Sequence, residues 1–345
     1  MSTSAQAALL AAATMMLAQA TSLANMRPVN FDPGPYMHPQ RLIDIGRRRL
    51  NLYCSGSGSP TVLLDASGGS DMLDWRFIQP VVAKLTRVCS YDRAGYGFSD
   101  PGPLPRDASA SVTDLHQLVE RAGIARPFVL VGYSTGTLHA RLYGDRYLHD
   151  LAGMVLVEPD LEDHEKGLFA AAPALAPLFA QGAAAKKACA AAAERGGLQP
   201  HTKMYDLCVG PPDPELPTAL NAVQTRQSLR LQSLKDSLSE DTTDSTTSTT
   251  QVRLGQRHYG DLPLAVVTAA DVFPPGAYLP PAERRAERNF LRKLRAPLAR
   301  YSSKGSRLEI DGCSHGDITT HCASSVASAI DTIVDEARRM PHARP

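Results

Sequence analysis

Apolar positions recur along this chain with two different periods. Short apolar runs at residues 61–65, 87–92, 128–131, 153–157, 262–268 and 307–311 predict strands. The runs at 128–131 and 153–157 are apolar on both faces, which suits strands buried on both sides of a parallel sheet. Helical spacing appears between them. Trp75, Ile78, Val82 and Leu85 predict one amphipathic helix, with Trp75 on its apolar stripe as core. Val112, Leu115, Val119 and Ala122 predict a second, stopped by Gly123. A basic helix over 283–300 turns Leu291, Leu294 and Leu298 inward, with a solvated basic face. Val326, Ile330, Ile333, Val334 and Ala337 predict the closing helix. Residues 41–45 and 48–54, punctuated by Gly46, read as a β-hairpin. Strand, helix, strand, helix in this order implies an α/β fold with a parallel sheet and right-handed crossovers.

The alternation breaks between residues 160 and 261. This stretch is alanine-rich at 170–193 and carries Pro211, Pro212, Pro214 and Pro217. A polar, helical-looking segment follows at 220–238. Residues 240–250 are mostly Ser, Thr and Asp and read as mobile. Residues 25–39, with four prolines and no periodicity, read as a surface lead-in.

Charge narrows the partners. The 345 residues carry a formal net charge of +1, which gives no electrostatic case for nucleic acid. Residues 7–24 are almost free of charge and end in small residues, as a secretory signal does. We read residues 1–24 as a cleaved export signal, in preference to a cytosolic tail or an uncleaved anchor. Thr14, Gln19, Thr21 and Ser22 make the stretch too polar for a membrane span, so no stable membrane insertion is expected. Secretion or a periplasmic location follows. None of the six cysteines forms a C-x-x-C pair, which argues against a zinc or redox site.

The chemistry concentrates at Gly132-Tyr133-Ser134-Thr135-Gly136. It lies between the 128–131 strand and an amphipathic stretch with Leu138, Leu142 and Tyr143. Strand, tight turn and helix is the context that makes G-x-S-x-G a nucleophile elbow. The flanking glycines allow the turn, and the helix start favours developing negative charge. With YDRAGYGFSD upstream and GCSHG downstream, the motif resembles the α/β-hydrolase fold superfamily over about residues 41–338, apart from a divergent middle. One departure is Thr137, where many relatives carry a further glycine. The resemblance implies a core of residues 25–159 and 262–345, with 160–261 as a helical cap.

It also implies a catalytic set. Ser134 attacks a carbonyl. His315 follows the last strand and fits the base better than His321, His116 or His139. Backbone N–H groups of Gly68 and Thr135 form the oxyanion hole, although Ala66-Ser67 replaces the usual His-Gly; a backbone donor needs no particular side chain. Two carboxylates compete for the third place: Asp271 after the 262–268 strand and Glu158 after the 153–157 strand. Asp271 is slightly preferred, because the family most often places its acid there. The YDRAGYGFSD stretch is a structural turn in relatives, and we favour that role for Asp92 and Arg93 over substrate contact. Cys54 and Cys89 fall on strands that are neighbours in relatives. Cys189 and Cys208 share the middle insertion, and Cys313 and Cys322 bracket the His315 loop, so these three pairs are the expected disulfides; six reduced thiols are the alternative. The expected function is serine hydrolysis of an ester or amide of a small or medium organic molecule, with no metal or organic cofactor. A non-catalytic binding protein on this fold and an acyltransferase using the same triad remain as alternatives.

Overall fold

Strands form where the chain is apolar on both faces, and they pair into one eight-stranded sheet. The computed structural model describes residues 31–162, 164–255, 258–271 and 279–340. The expected export signal at 1–24 lies outside them. The elements below belong to a compact unit that begins at Asp32.

The strands are β1 (Arg41–Asp44), β2 (Arg49–Ser55), β3 (Val62–Asp65), β4 (Val88–Tyr91), β5 (Phe128–Tyr133), β6 (Leu151–Val157), β7 (Leu264–Ala269) and β8 (Gly305–Ile310). Their order across the sheet is β1-β2-β4-β3-β5-β6-β7-β8. The expected hairpin is the antiparallel pair β1/β2, and β2 also meets β4 antiparallel. From β4 to β8 every pairing is parallel. Strands β3, β5, β6 and β7 are buried along their whole length. Leu63, Leu130, Leu156 and Val266 join Val112, Leu115 and Leu142 in one apolar cluster. On the opposite parity, a Cβ on Gly153 would lie 2.4 Å from Ile333, so the closing helix packs tightly there.

The helices are α1 (Gly34–Met37), α2 (Gln79–Val82), α3 (Ala108–Ala122), α4 (Gly136–Tyr147), α5 (His164–Ala171), α6 (Leu175–Glu194), α7 (Lys203–Val209), α8 (Thr218–Ser228), α9 (Leu231–Thr243), α10 (Thr249–Arg253), α11 (Pro281–Arg295) and α12 (Ala323–Arg339). Asp107 caps α3 by accepting from Ala110 N at 2.9 Å, and Gly123 closes it at φ 65°. The helix expected over residues 75–85 is shorter. It divides into a 3₁₀ turn, Met72–Trp75, capped by Asp71, and the four residues of α2. Pro80 has no N–H to extend a helix backwards from α2. Trp75 is fully buried, as its stripe position implied.

Residues 240–250 are not as expected. They end α9, pass through a π-helical turn, Asp244–Ser248, and enter α10. The buried positions of α9 are Ser233, Asp236, Glu240 and Thr243. They lie on one helical face, but that face is polar. Part of it meets loop backbone: Ser233 Oγ donates to Gly95 O at 2.6 Å, and Thr243 Oγ1 to Arg106 O at 3.1 Å. Buried loop carbonyls need donors, so a polar stripe serves here where an apolar one would leave them unpaired.

The disulfides Cys54–Cys89, Cys189–Cys208 and Cys313–Cys322 are all present. Cys54 and Cys89 face each other in register across β2 and β4. Among the described residues no helix is long and apolar enough to cross a membrane.

Candidate active site

The parallel register of β5 and β6 sets the site. Tyr133 stands opposite Val157, so the next residues, Ser134 and Glu158, emerge side by side from neighbouring strand ends. Both have left-handed backbone, at φ 52° and 50°. For a residue with a β-carbon such a conformation costs about 1–3 kcal/mol and persists only where its surroundings enforce it. Around Ser134 they do. A Cβ on Gly132 would sit 2.3 Å from Gly136 O, and one on Gly136 would sit 2.6 Å from Asp65 O. Ser134 N donates to Val157 O at 2.9 Å, and its carbonyl accepts from Thr137 N at 2.8 Å. Thr137 is more than a tolerated departure. Its hydroxyl donates to Ser134 O at 2.6 Å and accepts from Asp160 N at 3.1 Å, tying the elbow to the chain after β6.

Glu158 is fully buried. Its Oε2 is 3.0 Å from His315 Nδ1. Its Oε1 accepts from Ala269 N at 2.5 Å and from Arg295 Nη1 at 3.0 Å. Burial alone would raise its pKa. The Arg295 charge and the bonds from His315 and Ala269 N outweigh that and hold it below the ordinary glutamate value. In the structure it is Glu158, and not Asp271, that hydrogen-bonds His315. Asp271 pairs with Arg288 of α11, and its own N–H donates to Cys313 O at 3.4 Å. A guanidinium one helix away captures the shorter side chain. The longer Glu158, set beside the elbow by strand register, reaches the histidine.

His315 lies in the loop after β8, and Tyr133 Oη donates to its carbonyl at 2.7 Å. Ser134 Oγ donates to Asp160 Oδ2 at 3.5 Å, and no hydrogen bond joins it to His315 among the described residues. Catalytic hydrogen bonds are often long or misaligned before substrate binds and tighten in the complex. Asp160 also binds His164 Nδ1 at 3.1 Å, and this contact opposes burial and holds its pKa below the ordinary aspartate value. Sequence reasoning missed Asp160. It also missed Asp244, which accepts from Thr135 Oγ1 at 2.8 Å. Burial, then the charges of Glu240 and Asp160, push Asp244 well above the ordinary aspartate range.

Gly68 and Thr135 lie against each other: a Cβ on Gly68 would be 2.7 Å from Thr135 Oγ1. Among the described residues neither backbone N–H has an acceptor. The neighbouring Ser67 N–H is engaged by Asp74 Oδ2 at 2.9 Å, and Gly69 N–H by Glu240 Oε2 at 2.9 Å. Arg93 is buried and points at this loop rather than outward. It donates to Ala66 O and Ser67 O, both at 2.7 Å. Its turn role thus extends to holding the loop.

The profile of the alpha/beta hydrolase family matches residues 56–327. The chain belongs to the alpha/beta hydrolase family. Among curated proteins, this hydrolase-family chain is 31% identical over 108 residues to the uncharacterized protein YqjL of Bacillus subtilis, covering 31% of the chain and 43% of that protein. It is 35% identical over 130 residues to the probable transporter efuK of Hormonema carpetanum, covering 35% of the chain and 18% of that protein. The chain thus matches less than half the length of either relative. Among solved structures it resembles a thermophilic esterase from Thermogutta terrifontis, with TM-score 0.52 and 18% identity over 84% of this chain and 94% of that one. It also resembles the enol-lactonase of Burkholderia xenovorans, with TM-score 0.52 and 16% identity over 84% of this chain and 98% of that one. The epoxide hydrolase CorEH gives TM-score 0.55 and 14% identity over 86% of this chain and 97% of that one. At these identities the likeness is one of fold.

Proposed function

We propose that this alpha/beta hydrolase cleaves a carboxylic ester or amide of a small or medium organic molecule through an acyl-enzyme. The observation that carries the reading is the strained Ser134 elbow beside a buried Glu158 whose free oxygen meets His315 Nδ1 at 3.0 Å. With the proton of Nδ1 shared with Glu158, Nε2 is the basic nitrogen. Ser134 Oγ bonds to the substrate carbonyl carbon as His315 Nε2 takes its proton. The oxyanion is held by the N–H groups of Gly68 and Thr135, residues that lie against each other and whose N–H groups have no acceptor among the described residues. The tetrahedral species collapses, the bond to the leaving alcohol or amine breaks, and His315 returns the proton to it. Water then attacks the acyl carbon, His315 takes its proton, and the acid departs with Ser134 Oγ reprotonated. An elbow serine favours this route over one that needs a carboxylate nucleophile at the same place.

In this reading residues 160–261 are the cap, and substrate is held between it and the sheet edge. The three disulfides support an oxidising destination, secreted or periplasmic, because such bonds persist there. A fluorophosphonate probe is expected to label the protein, and Ser134→Ala to abolish both labelling and p-nitrophenyl ester hydrolysis. Labelling that survives in Ser134→Ala rejects the mechanism.

A further inference from the structure

The 65–69 loop is gripped from two sides by one buried ion pair. Arg93, in the turn after β4, donates to Asp65 Oδ1 at 3.1 Å, to Ala66 O and to Ser67 O. Glu240, in α9 of the inserted segment, accepts from Gly69 N at 2.9 Å. The two side chains pair with each other, Arg93 Nε to Glu240 Oε1 at 3.0 Å and Nη2 to Oε2 at 3.1 Å. They are 3% and 2% exposed, too buried for water to replace either partner. Tyr96 Oη adds a bond to Glu240 Oε2 at 2.7 Å. Asp65 continues the network to His139 Nδ1, 2.9 Å away on the elbow helix α4. Four pieces of chain therefore converge on one short loop: the end of β3, the turn after β4, the elbow helix and α9.

Within this loop the carbonyls of 66 and 67 and the N–H of 69 are fixed by charged partners. The N–H of Gly68, between them, is left without an acceptor among the described residues. A peptide chain pinned on both sides of one residue has little freedom to turn that residue's N–H. Glu240 alone would place a negative charge near the developing oxyanion. Arg93 matches it, so the pair supplies geometry without net charge.

We propose that Arg93 and Glu240 are positioning residues that aim Gly68 N–H into the oxyanion hole, so that docking of α9 and completion of the hole are one event. The proposal rests on the serine-hydrolase reading above. It explains why a buried carboxylate is supplied from the inserted segment, and it makes that segment part of the catalytic geometry as well as a cover.

The test uses the whole 345-residue chain and four variants, Glu240→Ala, Glu240→Gln, Tyr96→Phe and Ser134→Ala. Hydrogen–deuterium exchange of the 65–70 peptide reads the grip without any catalysis. Exchange there is expected to be at least about ten-fold faster in Glu240→Ala and unchanged in Ser134→Ala. With p-nitrophenyl acetate, Glu240→Ala is expected to lose about 10²-fold in kcat, the scale of one oxyanion donor, with KM nearly unchanged. Phenylboronic acid forms a tetrahedral adduct on the serine, and its inhibition constant is expected to rise as kcat/KM falls. Rates are referred to sites titrated by fluorophosphonate, so a misfolded fraction does not count. Glu240→Gln keeps an acceptor for Gly69 N–H and is expected to recover most of the loss. Tyr96→Phe keeps the ion pair and is expected to show a small effect of the same sign, which serves if Glu240→Ala does not fold. Unchanged exchange in the Glu240 and Tyr96 variants overturns the grip. Faster exchange with wild-type kcat per titrated site overturns its link to the oxyanion hole. Labelling that persists in Ser134→Ala overturns the serine reading itself and the proposal with it.

Discussion

Two buried arginine–glutamate pairs flank the site, and they differ in what the carboxylate does with its second oxygen. Glu158 gives one oxygen to Arg295 and Ala269 N, and the other to His315, the base of the proposed mechanism. Glu240 gives both oxygens to Arg93, and Oε2 also to Gly69 N–H and Tyr96 Oη, groups that keep their protons through neutral pH. Both arginines are 3% exposed. Burying a charge is tolerated when a partner and hydrogen bonds replace water. In the proposed function the same solution serves chemistry in one pair and geometry in the other. The first pair links elements of the sheet core, β6 and α11; the second links the core to the inserted α9.

The largest expected effect breaks the chemical pair. In the proposed mechanism Glu158→Gln removes the charge that orients and stabilises His315, and turnover of a p-nitrophenyl ester is expected to fall by about 10⁴, as for a triad aspartate. Asp271→Asn, which touches Arg288 instead, is expected to leave turnover near wild type. A collapse in Asp271→Asn with a normal rate in Glu158→Gln reverses the assignment.

Next in size is Arg295→Met. It leaves Glu158 buried without its fixed cation, and removing one partner of such a pair costs about 3–5 kcal/mol. The pH dependence has a definite sign. The folded pKa of Glu158 lies below the unfolded value, so its stabilisation is present above the unfolded glutamate pKa and is lost as pH falls through the lower, folded one. Without Arg295 the folded pKa rises, so acid unfolding begins at higher pH. Urea titrations across the acid range measure this. An unchanged acid midpoint would show that Arg295 does not hold the ionised form.

The smallest effect comes from a carboxylate that is not paired with an arginine. Asp71, cap of the Met72–Trp75 turn, lacks a salt bridge to an arginine among the described residues, and burial followed by the charges of Asp92 and Asp74 raises its pKa to about 7. A raised acid is stabilising while protonated, and the fold loses stability as pH rises through that value. Asn keeps an oxygen to cap Leu73 N. Asp71→Asn is therefore expected to be more stable than wild type at pH 8 and little changed at pH 4, measured by thermal unfolding at both. Equal shifts at the two pH values would remove the titration from the explanation.

The reach of the sequence ends where partners become distant. The strands were legible because an apolar run buried on both sides needs no knowledge of its neighbours. The elbow was legible because Gly132 and Gly136 answer a local steric demand around Ser134. The 189–208 and 313–322 disulfides were within reach because their partners are only 19 and 9 residues apart. His315 could be picked out as the candidate base from its place after the last strand. The carboxylate that meets it could not be, because Asp271 and Glu158 both follow strands and only three-dimensional reach separates them. Arg288 takes one and His315 meets the other. The polar face of α9 was invisible for a different reason. Ser233, Asp236, Glu240 and Thr243 recur at helical spacing, but a pattern sought in apolar residues passes over a buried stripe made of polar ones. Glu240 lies 147 residues from Arg93 in the chain, and Asp160 meets Ser134 across a strand end. Local sterics and hydrophobic period are written into neighbouring residues, so the sequence alone determined the sheet and the elbow at Ser134. Which buried charge meets which depends on distances that exist only once the chain has folded, and that the tertiary structure decided.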